Sequence, residues 1–258
     1  MLLRRIRQHV VAENWFAVWV DFVIVVIGVY VGIEVSNWNE ARQERVRAQG
    51  YLERIGADLS RDLELAGHRA EFWADVLTYG QKALRYAEHG ERAEGSSWQT
   101  VLAFYQASQV WAYTSIDMTY QELKSAGELG LIDDDVLRAD LGAYYITGVG
   151  LETSHLFNIL PEYRETVRGL TPWHVQTYIW ANCHRSSTLS QELVACESPI
   201  DADQAETILA AYLEDDSLVH ELRFWMANLS VAKGVLEANR ERVERLIALV
   251  DASRGAGS

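Results

Sequence analysis

Residues Trp15 to Val35 read WFAVWVDFVIVVIGVYVGIEV. As a helix, this stretch extends about 31 Å, close to the roughly 30 Å hydrocarbon core of a bilayer. Only Asp21 and Glu34 are charged, and both stand near its ends. Trp15 and Trp19 at one end and Trp38 at the other match the aromatic belt of a membrane interface. The alternatives are a buried helix of a soluble fold and a cleaved signal peptide. Arg4, Arg5 and Arg7 suit a signal peptide, but Ile33, Glu34 and Val35 stand where small residues are needed for cleavage. The sequence therefore predicts an uncleaved transmembrane helix over 15–35.

The 258 residues divide unevenly in charge around this stretch. Residues 1–40 carry three arginines against four acids, and the remainder carries 20 basic against 33 acidic side chains. A body so acidic is a poor binder of nucleic-acid phosphates. Arg4, Arg5 and Arg7 before the span are matched in number by Arg42, Arg45 and Arg47 after it. The upstream set is backed by the amino terminus and lies on a short tail, which normally stays inside. The expected layout is a basic cytoplasmic tail (1–14), the span (15–35), a periplasmic helical domain (36–252) and a disordered tail (253–258), anchored in a bacterial inner membrane.

Two features within the span bear on function. Gly28 and Gly32 form a small-xxx-small pair that lets two helix backbones approach closely, so a parallel homo-oligomer or a membrane-protein partner is expected. Asp21 is an acid about one turn inside the interface. It either snorkels to the headgroups or carries protons or ions, as in the stator and energy-transducer subunits that the short segment resembles. No peptidoglycan-binding motif follows to support that second reading.

Beyond the span, apolar residues recur at helical spacing through Leu52, Ile55, Leu59, Leu63, Ala66, Ala70, Trp73 and Leu77. With no proline before Pro161, the first helix is expected to run on to His89. Gly90, Gly95, Ser96 and Ser97 read as a loop, with Ser97 a candidate cap. Helices are then expected near 98–112, over 116–126 with Gly127 as its stop, and from the triplet Asp133–Asp135 towards Gly169 with a kink or break at Pro161. Further helices are expected from Thr171 as cap with Pro172 at the first helical position through Trp180, from Pro199–Asp203, and from Asp215-Asp216-Ser217 through Val250. Asp134, Asp135, Leu137, Leu141 and Tyr144 recur 81 residues later as Asp215, Asp216, Leu218, Leu222 and Trp225. No run of alternating strand residues appears. The fold class is all-α, with the anchor helix continuing into a bundle framed by long first and last helices.

Chemistry is sparse. Cys183 and Cys196 close a loop suited to a disulfide. The alternatives are two buried thiols, or a zinc site with His174 and His184 whose spacing matches no common pattern. The acidic triplet lacks the glycine and glutamate that a calcium loop needs. No nucleophile elbow, phosphate loop or zinc-protease helix is present; His220-Glu221 begins the last of these without a second histidine. No catalytic residue, cofactor or metal is expected. The many tyrosines and tryptophans read as core, with a pocket or partner groove as the sharper alternative.

Two segments carry a family resemblance. RRIRQ at Arg4–Gln8 with DFVIVVIGVYVGIEVSNWNE at Asp21–Glu40, and TYQELKSAGELGLIDDDVLRADLGAYY at Thr119–Tyr145, together resemble the bacterial family called domain of unknown function 6090. Asp21 stands where that pattern more usually has Glu, Glu34 for Gln and Ser36 for Asn. The resemblance implies an uncleaved span and a helical body, and brings no activity.

Overall fold

The structure is a computed structural model that describes residues 15–147 and 161–256. The expected tail at 1–14 lies outside these residues, as does the stretch 148–160 of the helix expected towards Gly169. The protein is all-α. Helix α1 (Trp15–His89) is followed by α2 (Ser97–Ala107), α3 (Met118–Ser125), α4 (Asp135–Thr147), α5 (Glu162–Leu170), α6 (Trp173–Asn182), α7 (Ala202–Glu214) and α8 (Asp216–Ala256). Single 3-10 turns lie at Ala93–Gly95 and Leu129–Leu131.

Helix α1 is one unbroken element of 75 residues, about 110 Å long. Its second half packs against α8, the most extensive contact between two elements. The buried positions of α1 step through 52, 55, 59, 62, 66, 73, 76, 80 and 83, and those of α8 through 218, 222, 225, 229, 232, 236, 239, 243, 246 and 250, with Phe72 and Met226 buried beside these two rows. Steps alternating between three and four give a period of 3.5, the mark of a supercoiled seam. The 3.6 spacing expected from sequence is thus replaced by a heptad. Leu63, Ala70 and Leu77 lie half-buried on its flank.

Two close approaches set the pairing as antiparallel. Gly80 lies against Met226, whose Sδ would sit 2.0 Å from a Cβ at that position, and Gly56 lies against Val250. Arg223 bridges to Glu88 at one end of the seam at 2.8 Å, and Gln49 reaches the carbonyl of Arg254 at the other.

The seam supports two separate cores. The larger, upper core gathers α2, α5, α6 and α7 around Trp73, Phe104, Tyr105 and Tyr163. The smaller, lower core lies nearer the apolar stretch. It joins Leu52, Ile55 and Leu59 of α1 to Leu123, Leu137 and Leu141 of α3 and α4, and to Val243, Leu246 and Val250 of α8.

Several expectations are corrected. Helix α2 stops at Ala107 rather than near 112; Trp225 takes the Ala107 carbonyl, Arg164 that of Ser108, and side chains of α1 hold the stretch that follows. Trp73 Nε1 donates to Trp111 O at 3.0 Å and Arg69 Nε to Ala112 O at 2.9 Å. The cap of α2 is Ser96, which accepts from Gln99 N, while Ser97 donates to Glu206 on α7. At Pro161, read as a kink or break, the structure has the cap residue that immediately precedes α5. Thr171 does not cap α6. Its hydroxyl turns back to Val167 O and meets Tyr212 Oη, and Pro172 occupies the cap position. A short hairpin, β1 (His184–Ser186) with β2 (Gln191–Leu193), pairs His184 with Leu193, where no strand was expected. Three-residue strands are too short to print a period of two. Residues 253–256, expected in a disordered tail, form the last turn of α8.

Other local readings agree with the structure. Asp201 and Gln204 form a reciprocal capping box on α7. Gly127 ends α3 with φ +72°, a conformation only glycine adopts freely. Asp134 Oδ1 accepts from the amides of Val136 and Leu137, and Asp215 Oδ1 from Ser217, so the 81-residue echo marks two equivalent helix starts. Leu137, Leu141 and Tyr144 are buried in one, and Leu218, Leu222 and Trp225 in the other.

Candidate functional site

The structure keeps the expected site residues apart. Trp15, Trp19 and Trp38 are exposed, as are Phe16, Phe22, Ile24, Ile27, Tyr30 and Ile33 between them. One window of this helix reaches a mean hydropathy of 2.2 with none of it buried, so α1 is long and apolar enough to cross a membrane. Gly28 and Gly32 lie one turn apart with no atom within 4 Å of a Cβ built at either. Asp21 is half-covered on the same helix.

Cys183 and Cys196 are far along the chain in the upper core, at bonding distance with a Cα–Cα separation of 5.2 Å. Their backbone holds the hairpin segment onto α2. Gln106 Nε2 donates to Cys183 O, and both Trp98 Nε1 and Gln99 Nε2 donate to Cys196 O. His184, the zinc alternative's partner, instead sets its ring edge-on to Trp180. Among the described residues no three His, Cys, Asp or Glu side chains are placed to hold a metal ion.

The unexpected constellation lies where the two cores meet. Asp62 is a fully buried acid at a seam position of α1. Its Oδ1 accepts from the amide of Ile116 at 2.7 Å, and its Oδ2 accepts from Tyr144 Oη on α4 at 2.9 Å. Tyr144 spends its proton on the carboxylate. Tyr113, whose oxygen lies 3.4 Å from that of Tyr144, is therefore the donor in the next link. Tyr145 stacks on Tyr120 of α3, with centroids 4.8 Å apart. Asp58 Oδ2 and Tyr145 Oη are buried without a hydrogen-bond partner among the described residues.

Burial raises the Asp62 carboxyl to about 6; the two donors oppose this, while Asp58 and Asp117 add to it. Burial likewise pushes the Tyr113, Tyr144 and Tyr145 hydroxyls up, reinforced by the Asp62 charge, so they stay protonated donors. Two turns along α1, Arg69 lies over the Trp111 ring at 3.2 Å, with burial lowering it to about 10. Asn239 is the corresponding buried polar residue of α8. The seam therefore carries polar side chains at its middle and apolar ones at both ends. A polar residue at such a position fixes the register of two helices at some cost in stability.

A second polar group supports α2. Arg164 Nη1 donates to Ser108 O at 2.6 Å, and Arg168 donates to Ser108 Oγ and Gln109 Oε1. The Arg168 guanidinium also stacks over Tyr105 at 4.9 Å. Cations at the end of α2 complement its carbonyl terminus, which accounts for them structurally.

Sequence reasoning missed Asp62 and Asn239. The signal was present, since an acid in the 52-55-59-62-66 steps interrupts an otherwise apolar seam. It is visible only once the period is taken as 3.5. No family model, no curated protein and no solved structure matches this chain.

Proposed function

We propose that the chain is a single-pass, membrane-anchored, non-enzymatic interaction or sensor module. In this reading residues 1–14 lie in the cytoplasm of a bacterium, 15–35 cross the inner membrane, and the helical body faces the periplasm. The bilayer is one partner, and a second copy or another membrane protein is the other. The observation that carries the reading is the continuity of α1. One helix runs from a bare apolar stretch into the seam of the body, so any load on the body is delivered directly to the span. The likeness to domain of unknown function 6090 is part of the same proposal and rests on its two motifs alone.

Crosslinking in intact membranes, followed by mass spectrometry, tests the reading. A second copy or one defined membrane protein joined through the span or the body supports it. Turnover of an ester, phosphate or peptide substrate by the pure protein, lost on a point substitution, overturns it. Asp21→Asn is expected to leave insertion and crosslinking unchanged. Loss of an ion-driven activity with assembly intact would instead assign the chain to a proton- or ion-coupled complex.

A further inference from the structure

The junction between the two cores is built as no ordinary seam layer is. An apolar residue at position 62 would continue the heptad. The chain instead buries a carboxyl there and completes it with two neutral donors, the Ile116 amide of the connection 108–117, which Trp73 and Arg69 also tie to α1 through Trp111 O and Ala112 O, and Tyr144 of α4, whose Leu137 and Leu141 share the lower core with α1. Among the described residues no cation pairs with it. The groups around it are Asp58 and Arg69 on its own helix, Tyr113 and Asp117 from the connection, Tyr120 from α3, and Tyr144 and Tyr145 from α4. In the register set by Gly56–Val250 and Gly80–Met226, α8 brings Val243 and Asn239 to this level, and its charged Arg240 and Glu244 pair with each other in solvent. Neutral or negative groups thus dominate the surroundings. A buried carboxylate in such a place is tolerated only at a cost, while its protonated form loses that cost and keeps acceptors for the same donors.

We propose that Asp62 is a proton-operated latch, closed when neutral and loosened when ionised, that sets how tightly the connection 108–117 and helix α4 close on α1. Closing requires one proton from solvent, which goes to the Asp62 carboxyl. The rise of that carboxyl to about 6 places the change in mildly acid solution. The latch stands on the geometry of the body and does not depend on which compartment the body faces.

Hydrogen exchange of the full-length protein in detergent micelles tests it, read at the Ile116 amide and corrected for intrinsic exchange. Protection is expected to be roughly tenfold or more higher at pH 5 than at pH 7.5. Asp62→Asn, which holds the neutral form, is expected to abolish that dependence and give the acid-level protection at both pH values. The Phe104 amide, in the upper core, should not follow it. Equal wild-type protection at the two pH values overturns the latch, as does an unchanged profile in Asp62→Asn. If Asp62→Asn fails to fold, Tyr144→Phe decides. It removes a donor that favours the ionised form, so the midpoint must move to higher pH, and an unmoved midpoint overturns the proposal.

Discussion

Between Trp15 and Trp38, α1 leaves its large apolar side chains bare; Phe16 is 74% and Trp19 62% exposed. Between Leu52 and Ala83 the same helix buries its apolar residues against α8, and Trp73 is wholly enclosed. The first half is apolar around its whole circumference, which suits a lipid solvent that surrounds the helix. The second half is apolar on one side only, along a 3.5-period seam against α8 with Phe72 and Trp73 reaching the connection after α2, which suits partners packed on one face. The difference shows that apolar content alone does not assign burial. The angular distribution of that content does.

The comparison is broken most completely by charging the first half. Ile24→Arg with Ile27→Arg costs about 2.5–3.5 kcal/mol per residue at the middle of a span. The chain should leave the membrane fraction in an alkaline wash while the body keeps its melting temperature. Charging the second half has the reverse effect on folding, and even truncation there is severe. Trp73→Ala removes a ring and its bond to Trp111 O and should cost about 3–5 kcal/mol, read as a loss of cooperative melting by circular dichroism with membrane retention intact. Reducing Cys183–Cys196 should destabilise the upper core by about 3 kcal/mol, on the chain-entropy account of a loop this size. The lower core should be spared, as amide exchange in α3 would report.

The lower core answers to pH. Asp62 is raised in the folded state to about 6, above its ordinary value. The native state therefore binds this proton more tightly than the unfolded chain does. Its contribution is fully present below about pH 4 and is lost as pH rises through about 6. The change is on the order of 2–3 kcal/mol, measured as denaturant midpoints for wild type against Asp62→Asn. Smallest is the effect at Gly80. A larger residue there must displace the Met226 side chain, and Gly80→Ala should cost about 1–3 kcal/mol in the same melts.

The first and last helices, the stop at Gly127 and the starts at Asp134, Asp201 and Asp215 were legible in the sequence, because caps and spans are written in local residue chemistry. The hairpin and the early end of α2 were not. Both depend on partners distant in the chain, such as Arg69 reaching Ala112 O and Gln106 reaching Cys183 O. The polar junction was hidden for the same reason. Asp62 meets Tyr144 across 82 residues, and nothing local marks an aspartate as enclosed. Gly28, Gly32 and Asp21 were legible as features of the apolar stretch, and the structure leaves them on a bare helix, away from any pocket of the body.

In the proposed function one helix serves two environments, and the cysteine pair is expected on the far side of the membrane from the amino terminus. Labelling with a membrane-impermeant maleimide measures this directly in cells whose outer membrane has been opened. Cys183 and Cys196 should stay unlabelled until a reductant is added and then react with the inner membrane still sealed. Labelling that needs no reductant, or that appears only after the inner membrane is breached, would contradict it.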